Sequence, residues 1–188
     1  TEVVAAVSGV GKVFAAICAE AMILTYHVDC VINIGVAGTL CDELGVMDVA
    51  IASRVVQHDM NTSALGDPVG LLSGLNEVYL SADEKIYSVI EKCVAAKGIN
   101  HKVGTIATGD LFLSKESTKN HLHEQFGAIA GEMEGGSIGQ VRYVNQVPFA
   151  ILRSISDGKG AEMDYATFAE KAAQVGIEVI LDVIAELA

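Results

Sequence analysis

Two stretches of this 188-residue chain carry residue types suited to acid–base work. Gly131-Glu-Met-Glu134-Gly-Gly136 sets two carboxylates around one methionine, between an apolar run, Phe126 to Ala130, and a helix-compatible run, Ser137 to Val144. Residues two apart in extended backbone point the same way, so Glu132 and Glu134 can share one side of a cleft. Alone, a Glu-x-Glu reads first as a charged surface turn. The second stretch, Val147 to Gly158, ends in Arg153-Ser-Ile-Ser-Asp157 and puts a third carboxylate and an arginine at another strand end.

The elements that would position these groups alternate between strand and helix. Val3–Val7, Cys30–Ile34, Val49–Val56, His101–Ala107 and Phe149–Ile155 read as buried strands, and the apolar run before Glu132 leads in as another. Val13–Val28, Ala82–Lys97, Lys115–Gln125, Gly135–Val144 and Tyr165–Leu187 read as helices. Ser81 and Glu84 form a capping box for the second of these, and Gly98 stops it. Ser8-Gly-Val-Gly-Lys12 reads as a tight strand-to-helix turn, since it fits neither the phosphate-loop nor the dinucleotide fingerprint. Gly35-Val-Ala-Gly-Thr39 reads as a second glycine-rich turn. The pattern predicts an α/β fold, a three-layer sandwich with a central twisted mixed sheet flanked by helices.

Composition narrows the partners. The chain is 51% hydrophobic, enough for one sizeable core, so residues 1–188 are expected to form a single domain. A net charge of −12 argues against nucleic acid and anionic membrane. No signal peptide or membrane span is visible, and Cys18, Cys30, Cys41 and Cys93 form no C-x-x-C pair, which predicts reduced thiols and a cytoplasmic protein. His121 and His123 lack companions for a metal site, so no metal or other cofactor is expected. The chain opens at Thr1 directly in an apolar run, which predicts a domain truncated at its N-terminus.

Carboxyl ends of strands in such sheets meet in one crevice. Here those ends carry Gly35–Gly38, Gly109–Leu113, Glu132–Glu134 and Arg153–Asp157. Carboxylates for hydroxyls, a methionine for a sugar face and Phe112 for a flat ring suit a polyol joined to an aromatic base.

At these residues the sequence resembles the 5′-methylthioadenosine/S-adenosylhomocysteine nucleosidases of the purine and uridine phosphorylase superfamily. The matching pieces are Ser8–Lys12, Asn33-Ile-Gly-Val-Ala-Gly38, His58-Asp59, Thr108-Gly-Asp-Leu-Phe112, Glu132-Met-Glu134 and Arg153–Asp157, in the family's order along nearly the whole chain. The resemblance implies hydrolysis of the N-glycosidic bond of a thio-nucleoside, releasing adenine. It implies Asp157 as the acid that protonates purine N7, oriented by Ser156, and Glu134 as the carboxylate on the ribose hydroxyls. Met133 then packs on the ribose, Phe112 stacks on adenine, Leu113 recognises the base through its backbone, and Arg153 lies near the attacking water. Val10, Ala37, Gly38 and Glu132 line the pocket, and Tyr165 sits near the sugar and its 5′ substituent.

Three expectations follow. An acid must hold its proton at neutral pH, so Asp157 should sit beside apolar groups or other negative charge, which the run Phe149–Leu152 and the glutamates would supply. The related phosphorylases grip phosphate with an arginine and a hydroxyl where this chain has Asn33 and Val36, so water is the expected nucleophile; many nucleosidases carry a serine at the Val36 position. The family's water-activating glutamate follows its first strand, and no residue here matches it, so a non-catalytic nucleoside-binding homologue and a phosphorylase stand as the alternatives. The loop His58–Gly74 carries Met60, Leu65, Val69, Leu71 and Leu72, which predicts a homodimer interface, with a self-packed loop as the competing reading.

Overall fold

A computed structural model describes residues 1–158 and 165–187, with the side chains of residues 165–167 outside that description. Among the described residues there are six strands: β1 (Val31–Thr39), β2 (Val49–Gln57), β3 (Tyr79–Ser81), β4 (His101–Thr108), β5 (Ala128–Glu132) and β6 (Phe149–Asp157). Five helices accompany them: α1 (Lys12–Tyr26), α2 (Glu84–Ala96), α3 (Glu116–Phe126), α4 (Gly135–Asn145) and α5 (Tyr165–Leu187). The strands form one mixed sheet in the order β3-β2-β4-β5-β1-β6, as the alternation predicts. The sheet twists far enough for β6 to meet β2 again, pairing Ser154, Arg153 and Leu152 with Val49, Ala50 and Ile51.

The strands are apolar on both faces because both faces are covered. Val49, Ile51, Ala150 and Leu152 pack against Ile90 and Val94 of α2 and Val179 and Val183 of α5. Phe149, Ile151, Ile155 and Ile106 centre a second cluster with Leu80. Helix α4 lies against α1 through small residues, Ala15 and Ala19 meeting Ile138. In α3, Lys119, Leu122 and Phe126 are buried, three and four residues apart, which makes them one face.

Three expectations need correction. Residues 1–8 form no strand, although Val3–Val7 is strand-like in composition, because no strand of the described residues hydrogen-bonds to it; Val3 and Val7 are exposed. The Gly35–Thr39 segment is the second half of β1 rather than a turn, held in register with Arg153, Ser154 and Ile155 of β6. The capping box fails: Ser81 is in β3, and the cap of α2 is Asp83, whose Oδ1 accepts from the Ile86 N–H at 3.1 Å. The loop after β2 is mostly self-packed, with Leu72 buried, Met60 against the main core and Val69 against the cluster around Leu122 and Phe126. Leu65 alone of its five apolar residues projects outward, 84% exposed.

The cap assignment has a direct check by urea unfolding. Asp83→Ala should cost about 1 kcal/mol through the lost cap bond, whereas Ser81→Ala, whose exposed side chain caps nothing, should stay within about 0.5 kcal/mol. Equal costs would restore the capping box.

Candidate active site

The carboxyl ends of β1, β5 and β6 open into a cleft of about 540 Å³. Its wall includes Val10, Ala37, Gly38, Phe112, Leu113, Glu132, Met133, Glu134, Arg153, Ser156 and Asp157, every residue the sequence singles out except Tyr165. Tyr165 begins α5, and its side chain lies outside the described residues. The segment Ala6–Gly9 and Ile32 and Ile34 also line the cleft, with only the glycine-rich Ser8–Lys12 turn to announce them in the sequence.

Arg153 is the hub. Its side chain is 4% exposed, and its Nη2 donates to Asn33 Oδ1 at 2.5 Å and to Glu132 Oε2, with Glu134 Oε2 3.5 Å away. The guanidinium packs against β1: a Cβ at position 35 would come within 2.0 Å of Nη1, so only glycine admits it. That contact, rather than a turn, is what the glycine of β1 serves.

The two glutamates have different work. Glu132, buried in full, accepts from the Glu134 N–H at 2.9 Å, from the Gly135 N–H at 2.7 Å and from Thr108 Oγ1. It thereby supplies the acceptor that the first turn of α4 needs, and Glu134 at the N-cap makes no such bond itself. The Glu134 carboxylate instead faces the cleft, where its Oε1 accepts from the Gly11 N–H at 2.9 Å.

Asp157 stands where β6 slips its register. Ala37 pairs with Ile155, but Gly38 pairs with Asp157, leaving Ser156 as the extra residue of a bulge. Neighbours on a strand normally point to opposite faces; the bulge lets Ser156 and Asp157 both reach the cleft. Ser156 Oγ donates to Asp157 Oδ1 at 3.2 Å. A Cβ on residue 38 would sit 2.8 Å from Asp157 Oδ2, which again requires glycine.

The surroundings of Asp157 differ from expectation. What touches it is not a glutamate but Lys119 of α3, whose Nζ donates to Oδ2 at 2.6 Å and to the Gly158 carbonyl at 3.4 Å. Lys119 is 5% exposed. Sequence reasoning missed it because the partner is 38 residues away; the available signal was a lysine on the apolar face of α3, in step with Leu122 and Phe126.

A second network fixes the mouth of the cleft. Lys12 Nζ pairs with Asp59 Oδ1 at 2.7 Å, Asp59 Oδ2 accepts from the Asp110 N–H, and Asp110 Oδ1 accepts from the Lys12 N–H at 2.8 Å. Partial burial works against the Asp59 charge, but the hydrogen bonds from Lys12 and Asp110 outweigh it and hold the carboxyl below its usual range. Beside it, burial pushes the His58 imidazole below its ordinary value, and its Nε2 has no partner among the described residues. The three motif fragments at residues 8–12, 58–59 and 108–112 therefore meet physically, as one clamp on the start of α1.

Comparison with known proteins places this geometry. The Phosphorylase superfamily model matches residues 1–185. A 5′-methylthioadenosine/S-adenosylhomocysteine nucleosidase of Bacillus subtilis is 38% identical over 98% of this chain and 81% of its own length. An aminodeoxyfutalosine nucleosidase of Campylobacter jejuni is 35% identical over 96% of this chain and 79% of its own. The structure of a Helicobacter pylori nucleosidase variant with 5′-methylthioadenosine in its active site superposes with a TM-score of 0.90 at 32% identity, covering 95% of this chain and 78% of that one. On the match of family, relatives and fold, the chain belongs to the phosphorylase superfamily and to its nucleosidases.

Proposed function

We propose that this protein hydrolyses the N-glycosidic bond of 5′-methylthioadenosine and S-adenosylhomocysteine. The observation that carries the reading is the convergence of Asp157, Glu134 and Arg153 on one cleft with Met133, Phe112 and Leu113. As the C1′–N9 bond breaks, its electron pair leaves with adenine and positive charge grows on the ribose. Glu134, whose other oxygen is turned toward Arg153, holds the ribose hydroxyls and stabilises that charge, while Met133 packs on the sugar face. Phe112 stacks on the base, the backbone at Leu113 reads its edge, and Asp157 gives N7 a proton. Arg153 places the water. Val10, Ala37, Gly38 and Glu132 shape the walls, and Tyr165 belongs near the 5′ substituent.

Water is the nucleophile because both cations of the wall's neighbourhood are already paired, Arg153 with Glu132 and Lys119 with Asp157. Asn33, at the position where phosphorylases use an arginine, gives its Oδ1 to Arg153 and brings no charge. Phosphate would meet carboxylates there, without a free cation among the described residues to offset them. The work belongs to one domain in the cytoplasm, where four unpaired thiols stay reduced; among the described residues no helix is long and apolar enough to cross a membrane.

The test is product analysis with the protein as its gene encodes it, using 5′-methylthioadenosine, S-adenosylhomocysteine and aminodeoxyfutalosine in turn. Free adenine should appear, with free thioribose from the two thio-nucleosides, unaffected by phosphate, and Asp157→Asn should lower kcat on the order of 10²–10⁴-fold with the fold kept. A sugar 1-phosphate as main product would make it a phosphorylase. Binding without turnover would make it a nucleoside-binding homologue.

The same reading takes the protein to be a homodimer. Leu65 is exposed, and the Lys12–Asp59 ion pair ties the start of its loop to α1, where Val13, Phe14 and Ile17 are exposed as well. Large outward apolar groups of this kind mark an interface. Sedimentation should give a dimer at micromolar concentration, weakened by Leu65→Asp together with activity; a fully active monomer would contradict it.

A further inference from the structure

The reading above asks Asp157 for a proton, yet its Oδ2 is bonded to the ammonium of Lys119 and its Oδ1 to the hydroxyl of Ser156. Both oxygens of the carboxyl are thus taken up by donors of the protein. The nearest proton that can reach it is on Lys119 Nζ, 2.6 Å away and shielded from solvent. Among the described residues Lys119 has one other acceptor, the Gly158 carbonyl at 3.4 Å, a long contact that leaves the Asp157 bond its main anchor there. The lysine is therefore neither a surface charge nor a general structural tie. It sits on the apolar face of α3 and ends at the acid.

We propose that Lys119 is the positioning residue of the acid and the source of its proton, an inference that rests on the hydrolytic reading and deepens it. As the C1′–N9 bond lengthens, negative charge builds on the purine. The Nζ–H bond of Lys119 breaks toward Asp157 Oδ2, and the carboxyl passes a proton to purine N7. At the end adenine is neutral, Asp157 is again a carboxylate and Lys119 is a neutral amine, which regains its proton from water when product leaves. Lysine suits the task because its ammonium gives up a proton when its surroundings change, whereas a guanidinium does not.

The charged groups around the pair bear on its pH behaviour. Arg153 of β6 and Glu132 and Glu134 at the β5–α4 junction line the same cleft. Strand β1 faces it with the uncharged Ala37 and Gly38. Helix α3 also carries Glu116, His121, His123 and Glu124, with Lys115 at its N-cap, and His123 is bonded to the Ala128 carbonyl. Among the described residues, Lys119 is the cation bonded to Asp157.

The test compares pH profiles of kcat for the wild type, Lys119→Met and Lys119→Arg, alongside thermal melting and adenine binding by calorimetry. Lys119→Arg keeps the charge but withholds the proton. It should melt and bind adenine as the wild type does, while kcat at pH 7.5 falls on the order of 10²-fold. Lys119→Met removes the proton source, so Asp157 must carry its own; kcat should fall at pH 7.5 and its optimum should move to acid pH. If Lys119→Met fails to fold, the arginine variant decides. Wild-type kcat and profile in Lys119→Arg, or an unshifted profile in Lys119→Met, would overturn the inference while leaving the nucleosidase reading standing. A wild type that releases no adenine would overturn both.

Discussion

The rest of the structure depends on one buried ion pair, Arg153 with Glu132, whose side chains are 4% and 1% exposed. Taking both charges out of water is expensive, and only dense hydrogen bonding makes it tolerable. Glu132 takes its bonds from four directions: Thr108 at the end of β4, the N–H groups of Glu134 and Gly135 at the start of α4, and Arg153 of β6. Arg153 adds Asn33 of β1. One carboxylate and one guanidinium thus join four strands and a helix at the floor of the cleft. Gly35 is required because the guanidinium occupies the space of any side chain there.

This arrangement divides the carboxylates by task. Glu132 is consumed by the framework, and in meeting the needs of the α4 terminus it fixes the backbone that presents Met133 and Glu134. Asp157 follows Arg153 on the same strand, past the bulge at Ser156, so the ion pair that anchors β6 also fixes where Asp157 enters the cleft. The clamp of Lys12, Asp59 and Asp110 sets the opposite wall by holding the start of α1, where Gly11 meets Glu134. Precision in the site comes from charge pairs on rigid elements, with the loops contributing mainly Phe112 and the Ser8–Gly9 turn.

The alternation of strands and helices was legible because burial on both faces writes continuous apolar runs and amphipathic stripes into the chain. The cleft residues were legible because their order along the chain matched a family pattern. What sequence could not supply is partnership. Val3–Val7 has strand composition but no neighbour to bond, and β1 hid its second half because glycines that look like a turn are there to admit Arg153 and Asp157. Ser81 and Glu84 satisfied a local spacing rule, yet the chain chose Asp83, which lies one residue before the helix begins. Lys119 joins Asp157 across 38 residues, and no local window reports such a contact. Nor does spacing tell a glutamate bonded into the framework from one two residues away that faces the cleft.

That last distinction is the account's central claim, and paired unfolding and kinetic measurements on Glu132→Gln and Glu134→Gln test it most directly. Glu132→Gln leaves Arg153 buried without its main countercharge and should cost about 3 kcal/mol or more in stability. Glu134→Gln should cost less than about 1 kcal/mol while lowering kcat more than it raises KM, because the charge matters most when the ribose is cationic. Equal destabilisation by the two substitutions, or a stable Glu132→Gln protein beside an unstable Glu134→Gln one, would contradict the assignment.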